Sequence, residues 1–453
     1  MARALSLAGA ALLGACFHAP AYAPERSLAV LRALEAPAEP TRSGEDRDAG
    51  DRGCSPRSTP ARADGALTAD EAFALAVANN PDLAVAEAEA AVAAAEVDVA
   101  RQLDNPSFRL TNFRVADALA GAPQMNLGVR VPIPRPGTVR TRVAAARLAA
   151  DAAESDAAAA RRLLRVLVYQ RFAQIAWLRA DIDELTRAAA LFDERRAQIG
   201  ARVERAVATR VDLAVADLTH AEALEKLGRL RSELARAEAE LARALGPGGP
   251  RRFHADAAEL QAIARVPSRE DLVARAVDAR PELRASQARV AEARAGVHLA
   301  RSAAWPWFNW VQVNYYVGPT ATPASFGFGL ALDLPLLSWN RGEVRAARAR
   351  VRQREAEERA AAAHLSGELD EAIVRLQAAD ARVMEIEQVL LPRVEDAARE
   401  AAAALDAGAV DPLTANEIEG RRVAARRQHL AALFERRSAA LLLEAAVGAP
   451  LGL

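Results

Sequence analysis

The chain of 453 residues has few aromatics, 4% of the total, and only two cysteines, Cys16 and Cys54. Scarce aromatics weigh against a fold built mainly of strands. Two cysteines exclude a disulfide scaffold and a cysteine-based zinc site. Lysine is nearly absent: Lys226 is the single one, so almost every cation is Arg. Neither sign of charge is in excess, with 59 basic and 60 acidic residues, which excludes a nucleic-acid partner held by bulk charge. No run of 18 apolar residues occurs beyond the leader, so no transmembrane helix is expected. The six histidines, His18, His220, His254, His298, His364 and His429, form no helical ligand pair. Gly-rich phosphate loops, G-x-S-x-G and HExxH are missing. The chain is read as no enzyme, with no metal and no cofactor. What it has is alanine, about a quarter of all residues, beside Leu, Arg and Glu, the composition of long helices.

Met1-Ala2-Arg3 is a basic start, and Ala4 to Ala15 is an apolar run of 12 residues, of signal-peptide length. The run ends Leu13-Gly14-Ala15-Cys16, which resembles a bacterial lipobox, where the cysteine is acylated and becomes the mature N-terminus. Phe17 after it resembles the outer-membrane sorting class. Ala21-Tyr22-Ala23 offers a rival cleavage site. The first reading makes 1–15 a lipoprotein signal peptide with Cys16 lipidated. Residues 16–65 are rich in Pro, Arg, Gly and Asp without apolar period, and read as a flexible linker.

An internal repeat appears at an offset of 200 residues. Val77, Pro81, Leu83, Val97, Arg101, Pro106 and Phe108 recur as Val277, Pro281, Leu283, Val297, Arg301, Pro306 and Phe308. The copies span 66–248 and 267–449, joined by a linker at 249–266. Each reads as opening helix, two strands, very long helix, break and closing helix. The opening helices are 68–103 and 268–304; Thr68 and Glu71 form a capping box, and Pro106 and Pro306 stop them. The long helices are 139–205 and 342–406, and the closing helices 213–245 and 413–447.

Leu164, Val168, Phe172, Ile175, Leu178, Ile182 and Leu185 recur every three or four residues, as do Ile373, Leu376, Val383, Ile386 and Leu390. That is coiled-coil-like packing. At 1.5 Å per residue such helices reach roughly 100 Å, more than a globular domain needs. Helices 213–245 and 268–304 together match the length of 139–205. This predicts that these two stack end to end beside it, with 249–266 bulging out. The second closing helix would stack on the first opening helix.

Strands are expected at 107–115, 124–132, 307–317 and 325–335. Met125, Leu127, Val129 and Val131 alternate with Asn126, Gly128 and Arg130. Val311, Val313, Tyr315 and Val317 alternate with Gln312 and Asn314. Phe326, Phe328, Leu330, Leu332 and Leu334 alternate with Ser325, Gly327, Gly329, Ala331 and Asp333. Strands of this length with one apolar face suit a barrel wall, apolar side to outer-membrane lipid and polar side to water. Trp305, Trp307, Trp310 and Trp339 near strand ends fit membrane–water interfaces. A soluble sheet whose apolar face rests on a helical core is the other reading. Four strands cannot close, and lipid does not tolerate an open edge. Several chains would therefore pool strands, and polar inner faces favour twelve strands from three chains over eight from two.

Two further motifs stand out: Val131-Pro132-Ile133-Pro134-Arg135-Pro136-Gly137 before Arg140 and Arg142, and Leu334-Pro335-Leu336-Leu337-Ser338-Trp339-Asn340-Arg341-Gly342-Glu343. With the duplicated unit, they make 67–449 resemble the TolC-like outer-membrane efflux channel family. The second motif resembles the "LPLF-x-RNQG" segment of its heavy-metal (cobalt–zinc–cadmium type) branch, with Trp339-Asn340-Arg341 in an altered order. The resemblance implies a mainly α fold with a small transmembrane β part. It implies a homotrimer, with a β-barrel of twelve strands on a long α-helical barrel. It also implies a passive export conduit working with a periplasmic adaptor (membrane fusion) protein and an inner-membrane pump.

The helix breaks would be periplasmic tips that contact the adaptor or gate the pore. The first holds Val207, Ala208, Thr209, Arg210, Asp212 and Leu213; the second holds Asp406, Gly408, Ala409, Asp411 and Leu413. They resemble the family's Gly-x-x-(Ser/Thr)-x-x-Asp-Leu turn, with Ala206 in the glycine place and the second turn shortened around Pro412. Asp406 or Asp411 would form an acidic ring for cations, or else cap helices. Arg210 and Asp212 would pair between helices, or form a weak surface pair. A periplasmic scaffold or adaptor without a barrel is the competing function. The exported substrate, metal ion or small molecule, is not legible.

Overall fold

The computed structural model describes residues 67–111, 125–247, 253–255, 260, 266–317, 325–335 and 337–451. Cys16 and the rest of the leader and linker lie outside them. The first copy contains helices α1 (Ala69–Asn79) and α2 (Pro81–Arg101), strands β1 (Ser107–Thr111) and β2 (Met125–Pro132), and helices α3 (Thr138–Glu204) and α4 (Arg210–Leu245). The second contains α5 (Arg269–Ala279), α6 (Pro281–Ser302), β3 (Trp307–Val317), β4 (Ser325–Asp333), α7 (Arg341–Glu385), a π-helical turn Ile386–Leu390, α8 (Leu391–Asp406) and α9 (Pro412–Val447).

Each opening helix is two helices rather than one. The residue before a proline avoids helical backbone: Asn80 sits at φ −69, ψ 122 and Arg280 at φ −74, ψ 116. Pro81 and Pro281 then start α2 and α6, where a missing N–H costs nothing. The second long helix is also interrupted. Pro392 cannot donate and crowds the carbonyl four residues back. The Leu391 N–H reaches Ile386 O instead, giving one π turn. Strand β4 stops at Asp333, two residues early, ahead of Pro335. Residues 112–115 and 124 of the expected strands lie outside the described residues.

The expected stacking between copies is wrong: each closing helix meets the opening helices of its own copy. Asn80 makes the first junction. Its Oδ1 accepts from Leu83 N at 2.9 Å, capping α2, and its Nδ2 donates to Ala244 O at 2.8 Å, near the end of α4. Arg280 makes the second, where Nε donates to Ala446 O of α9 at 2.7 Å. A buried polar side chain thus satisfies a carbonyl that the helix end leaves unpaired. Nothing in the apolar pattern distinguishes the two pairings, because both have nearly the same summed length.

The four strands form one antiparallel sheet in the order β1-β2-β3-β4. The helices below keep that lateral order. α2 and α4 pack on one side of α3, α6 and α9 on its other side, and α7 and α8 beyond them. Each strand therefore joins its own helical column, and the chain is a wall four columns wide. At 67 residues, α3 is roughly 100 Å long. Leu164, Val168, Phe172, Ile175, Leu178 and Leu185 are buried along it, with Ile182 partly so. Alanines such as Ala72, Ala76, Ala216 and Ala432, fully hidden, let the columns approach closely. The segment between copies does not simply bulge out. Phe253 packs edge-on to Phe172 with centroids 5.8 Å apart, and Leu260 is fully buried against Val383 and Leu433.

Candidate functional site

The register decides what each face of the sheet carries. Phe108, Val129, Val313 and Phe328 lie in one cross-strand row; Leu110, Leu127, Tyr315 and Phe326 lie in the next. Val131, Val311 and Leu330 extend the same face, and Met125 lies on it by alternation. A bulge at Asn309 lets Phe308 join it opposite Leu332. This face is uncovered: Phe326 is 71% exposed, Phe328 82% and Leu330 63%. A soluble sheet resting on a helical core would have hidden those side chains, so that reading fails.

The opposite face is polar and more sheltered. Arg130 Nε donates to Gln312 Oε1 at 3.0 Å, and its guanidinium carbon lies 3.8 Å from the Trp310 ring centroid. Gln312 also bonds Asn314. Both lie across Gly128, where a Cβ would come within 2.6 Å of Asn314 Oδ1. Tyr316 likewise covers Gly327. Glycines here let large polar-face side chains lie against the wall.

The far ends of the columns carry two tight turns, Arg205 to Thr209 and Ala407 to Asp411. They have equal length, so the second is not shortened. Both close in the same way. Val207 N donates to Arg202 O at 2.9 Å and Ala409 N to Ala404 O at 2.8 Å, with Ala206 (φ 56) and Gly408 (φ 71) in the left-handed position between. The helices that follow start with caps of reversed chemistry. Thr209 caps α4 and Asp212 answers from three residues on, at 2.8 Å to Thr209 N. Asp411 caps α9, accepting from Leu413 N at 2.8 Å, Thr414 N at 3.1 Å and Thr414 Oγ1 at 2.8 Å. Asp411 therefore corresponds to Thr209, and Thr414 to Asp212.

The Thr414 hydroxyl first, then the Thr414 and Leu413 N–H groups, hold the Asp411 carboxyl below its ordinary value. Asp212 turns its carboxylate to Thr209 within its own helix start, rather than to Arg210. Val207, Arg210, Asp406, Gly408, Ala409 and Asp411 are exposed, while Ala208, Leu213 and Leu413 are half-buried. Val207, Val211, Val215 and Leu218 make an exposed apolar stripe up the start of α4, with Val211 at 69%.

A model of the outer membrane efflux protein family matches residues 73–247 and 272–449. The chain belongs to the outer membrane efflux protein family. No curated protein sequence gives a significant match. Solved structures show the same fold. VceC, the outer membrane protein of Vibrio cholerae, is similar with TM-score 0.70 and 19% identity, over 84% of this chain and 96% of that one. The open state of the MtrE outer membrane channel of Neisseria gonorrhoeae has TM-score 0.72 and 16% identity, over 84% and 89%. CusC, described for conformational changes accompanying folding and transmembrane channel formation, has TM-score 0.70 and 17% identity, over 84% and 92%. The chain is an outer-membrane efflux channel, a passive conduit and not an enzyme. Channels of this family are trimers that work with adaptors and inner-membrane pumps. A scaffold without a barrel is thereby set aside.

One feature of this efflux channel is not part of its apolar pattern. Toward the tips, the seam between α3 and α9 changes from apolar to ionic. Asp181, 2% exposed, binds Arg427 through both oxygens at 2.6 and 2.9 Å. Arg195, buried, donates to Ala415 O at 2.7 Å. Glu184 and Glu419, also buried, face Arg426 and Arg422. The Asp181 hydrogen bonds hold the Arg427 proton more tightly, whereas burial loosens that of Arg195. The signal was available: Asp181 falls one turn from Leu178 and Leu185, at a core position of the pattern.

Proposed function

We propose that three copies of this chain close into one tube, each supplying a third of the wall. The observation that carries this is the shared lateral order of strands and helical columns, with β1 and β4 left as unpaired edges. An open edge is untenable in lipid, and the uncovered apolar face needs lipid to cover it. β1 of one copy would pair with β4 of the next. Twelve strands leave a lumen, lined by the Arg130, Gln312 and Asn314 face. Met125, Leu127, Val129, Val131, Val311, Val313, Phe326, Phe328, Leu330 and Leu332 would face lipid. The columns would meet likewise. Val85, Val92 and Val99 on α2 are exposed and seven residues apart, a heptad seam at the edge of the wall.

The outer-membrane end is anchored a second time if Cys16 is acylated. The tips, roughly 100 Å away, would dock the adaptor through Val207, Ala208, Val211 and Ala409. The resemblance of Leu334 to Glu343 to the heavy-metal branch makes metal ions one candidate cargo, with small organic molecules the other. Disulfide cross-linking tests the closure. Cysteines placed at Leu110 in β1 and Leu330 in β4 should give covalent trimers in membranes. A ladder without a closed trimer, or no cross-link at all, would count against it. Intact mass of the mature N-terminus decides between acylated Cys16 and cleavage after Ala23.

A further inference from the structure

Two neighbouring rows on the polar face of the sheet carry charge of one sign. In the cross-strand row Ser107, Arg130, Gln312 and Gly329, and in the next row Arg109, Gly128, Asn314 and Gly327, the charged residues are both arginines. Among the described residues no carboxylate pairs with either. Asp333, at the foot of the same face, is already engaged, with Asn309 Nδ2 at 3.3 Å and Arg135 at 3.9 Å. Arg130 is held rather than loose. Its Nε is bonded to Gln312 and its plane lies over Trp310, which leaves its Nη groups without a protein acceptor among the described residues. A stacked guanidinium keeps its edge donors free for a ligand. Gly128, Gly327 and Gly329 carry no side chain, so nothing from those positions screens the pair.

We propose that Arg109 and Arg130 form a cationic ring where the helical columns pass into the sheet, favouring anionic permeants such as small carboxylates and phosphates. The ring rests on the trimeric reading, in which three copies bring six guanidiniums into one lumen. Arginine rings select anions in the same way that acidic rings select cations. A lumen narrower than a few Debye lengths, each about 8 Å at physiological salt, cannot screen them fully. A freely hydrated divalent cation is disfavoured at this ring; a metal would pass it more readily as an anionic complex.

The test uses the full-length protein in planar bilayers under a potassium chloride gradient. Replacing both arginines, Arg109→Gln with Arg130→Gln, should lower the chloride-to-potassium permeability ratio by on the order of threefold. The pair Arg109→Lys with Arg130→Lys should leave it near wild type. An unchanged ratio in the glutamine pair would overturn the ring while leaving the trimeric channel intact. Should the glutamine pair fail to assemble, the wild-type channel still decides. Block by inorganic triphosphate added from the sheet side supports the ring; block by spermine but not by triphosphate refutes it. A wild-type chain that opens no channels contradicts the trimeric pore itself, and the ring with it.

Discussion

The two copies of the repeat solve the same backbone problems with different residues. At the junction of closing and opening helices, Asn80 does in the first copy what Arg280 does in the second. At the tips, a Thr–Asp cap faces an Asp–Thr cap, and Ala206 holds the left-handed position that Gly408 holds in the partner turn. Duplication has preserved positions that need a donor, a cap or a positive φ, and not the side chain that meets the need. Each pair is therefore an internal control, with one fold tested in two environments.

The largest difference is expected at the ends of the closing helices. Gly246 sits at φ 85, ψ 177, a region that side chains other than glycine's do not occupy. A Cβ there would lie 2.3 Å from Asn79 O. Gly246→Ala should cost more than about 3 kcal/mol. Gly448 sits at φ 85, ψ 2, and a Cβ there would lie 3.2 Å from Arg280 Cγ, a tight contact but no overlap with backbone. Gly448→Ala should cost only about 1 kcal/mol. Thermal unfolding of the detergent-solubilised protein measures both, and equal losses would break the comparison.

The junction side chains come next. Arg280→Ala removes a buried donor from Ala446 O and should cost about 3 kcal/mol. Asn80→Ala loses the α2 cap and the Ala244 bond, at about 2 kcal/mol. Replacing Asn80 by Arg is a sharper probe, because the second copy already uses that residue. Its Tm should lie above that of Asn80→Ala; a lower value would show that the junctions are not equivalent.

At the tips, Asp411→Ala should cost about 1 kcal/mol, read as faster hydrogen exchange in the first turn of α9. Asp411→Thr combined with Thr414→Asp recreates the first tip's box and should restore protection. The cap also depends on pH. Because its folded pKa is depressed, Asp411 contributes fully above the unfolded carboxylate value near 4, and the contribution is lost as pH falls through the lower folded value. Protection at Leu413 and Thr414, relative to the unfolded chain at the same pH, should fall there in wild type and not in Asp411→Asn. Effects of similar or smaller size are expected at the left-handed positions. Ala206→Gly should stabilise by about 0.5 kcal/mol and Gly408→Ala destabilise by about 1 kcal/mol.

The sequence made the strands and long helices legible because their signals are periodic. Alternation assigned Leu127, Val313 and Phe328 to one face, and the register places them on one row or its neighbour. Features resting on single residues were harder to see. Pro81, Pro281 and Pro392 stand in the sequence, yet the apolar period runs through them and hides their consequences, two kinks and a π turn. The junction partners were not legible, since Asn80 and Arg280 signal a cap or a charge and say nothing of which carbonyl they reach. At the tips Asp212-Leu213 and Asp411-Pro412-Leu413 look alike in letters, while the turns correspond through their left-handed residues, Ala206 and Gly408.

In the proposed trimer the polar face of the sheet lines a water-filled lumen and the apolar face meets lipid. Neighbouring residues on β2 test it most directly. In a Cys54→Ser background, Asn126→Cys and Leu127→Cys are compared in outer-membrane vesicles with a water-soluble, membrane-impermeant thiol reagent. Asn126→Cys should label readily and Leu127→Cys should not, with Phe328→Cys on β4 protected like Leu127→Cys. Equal labelling at 126 and 127, or the reverse order, would contradict the barrel.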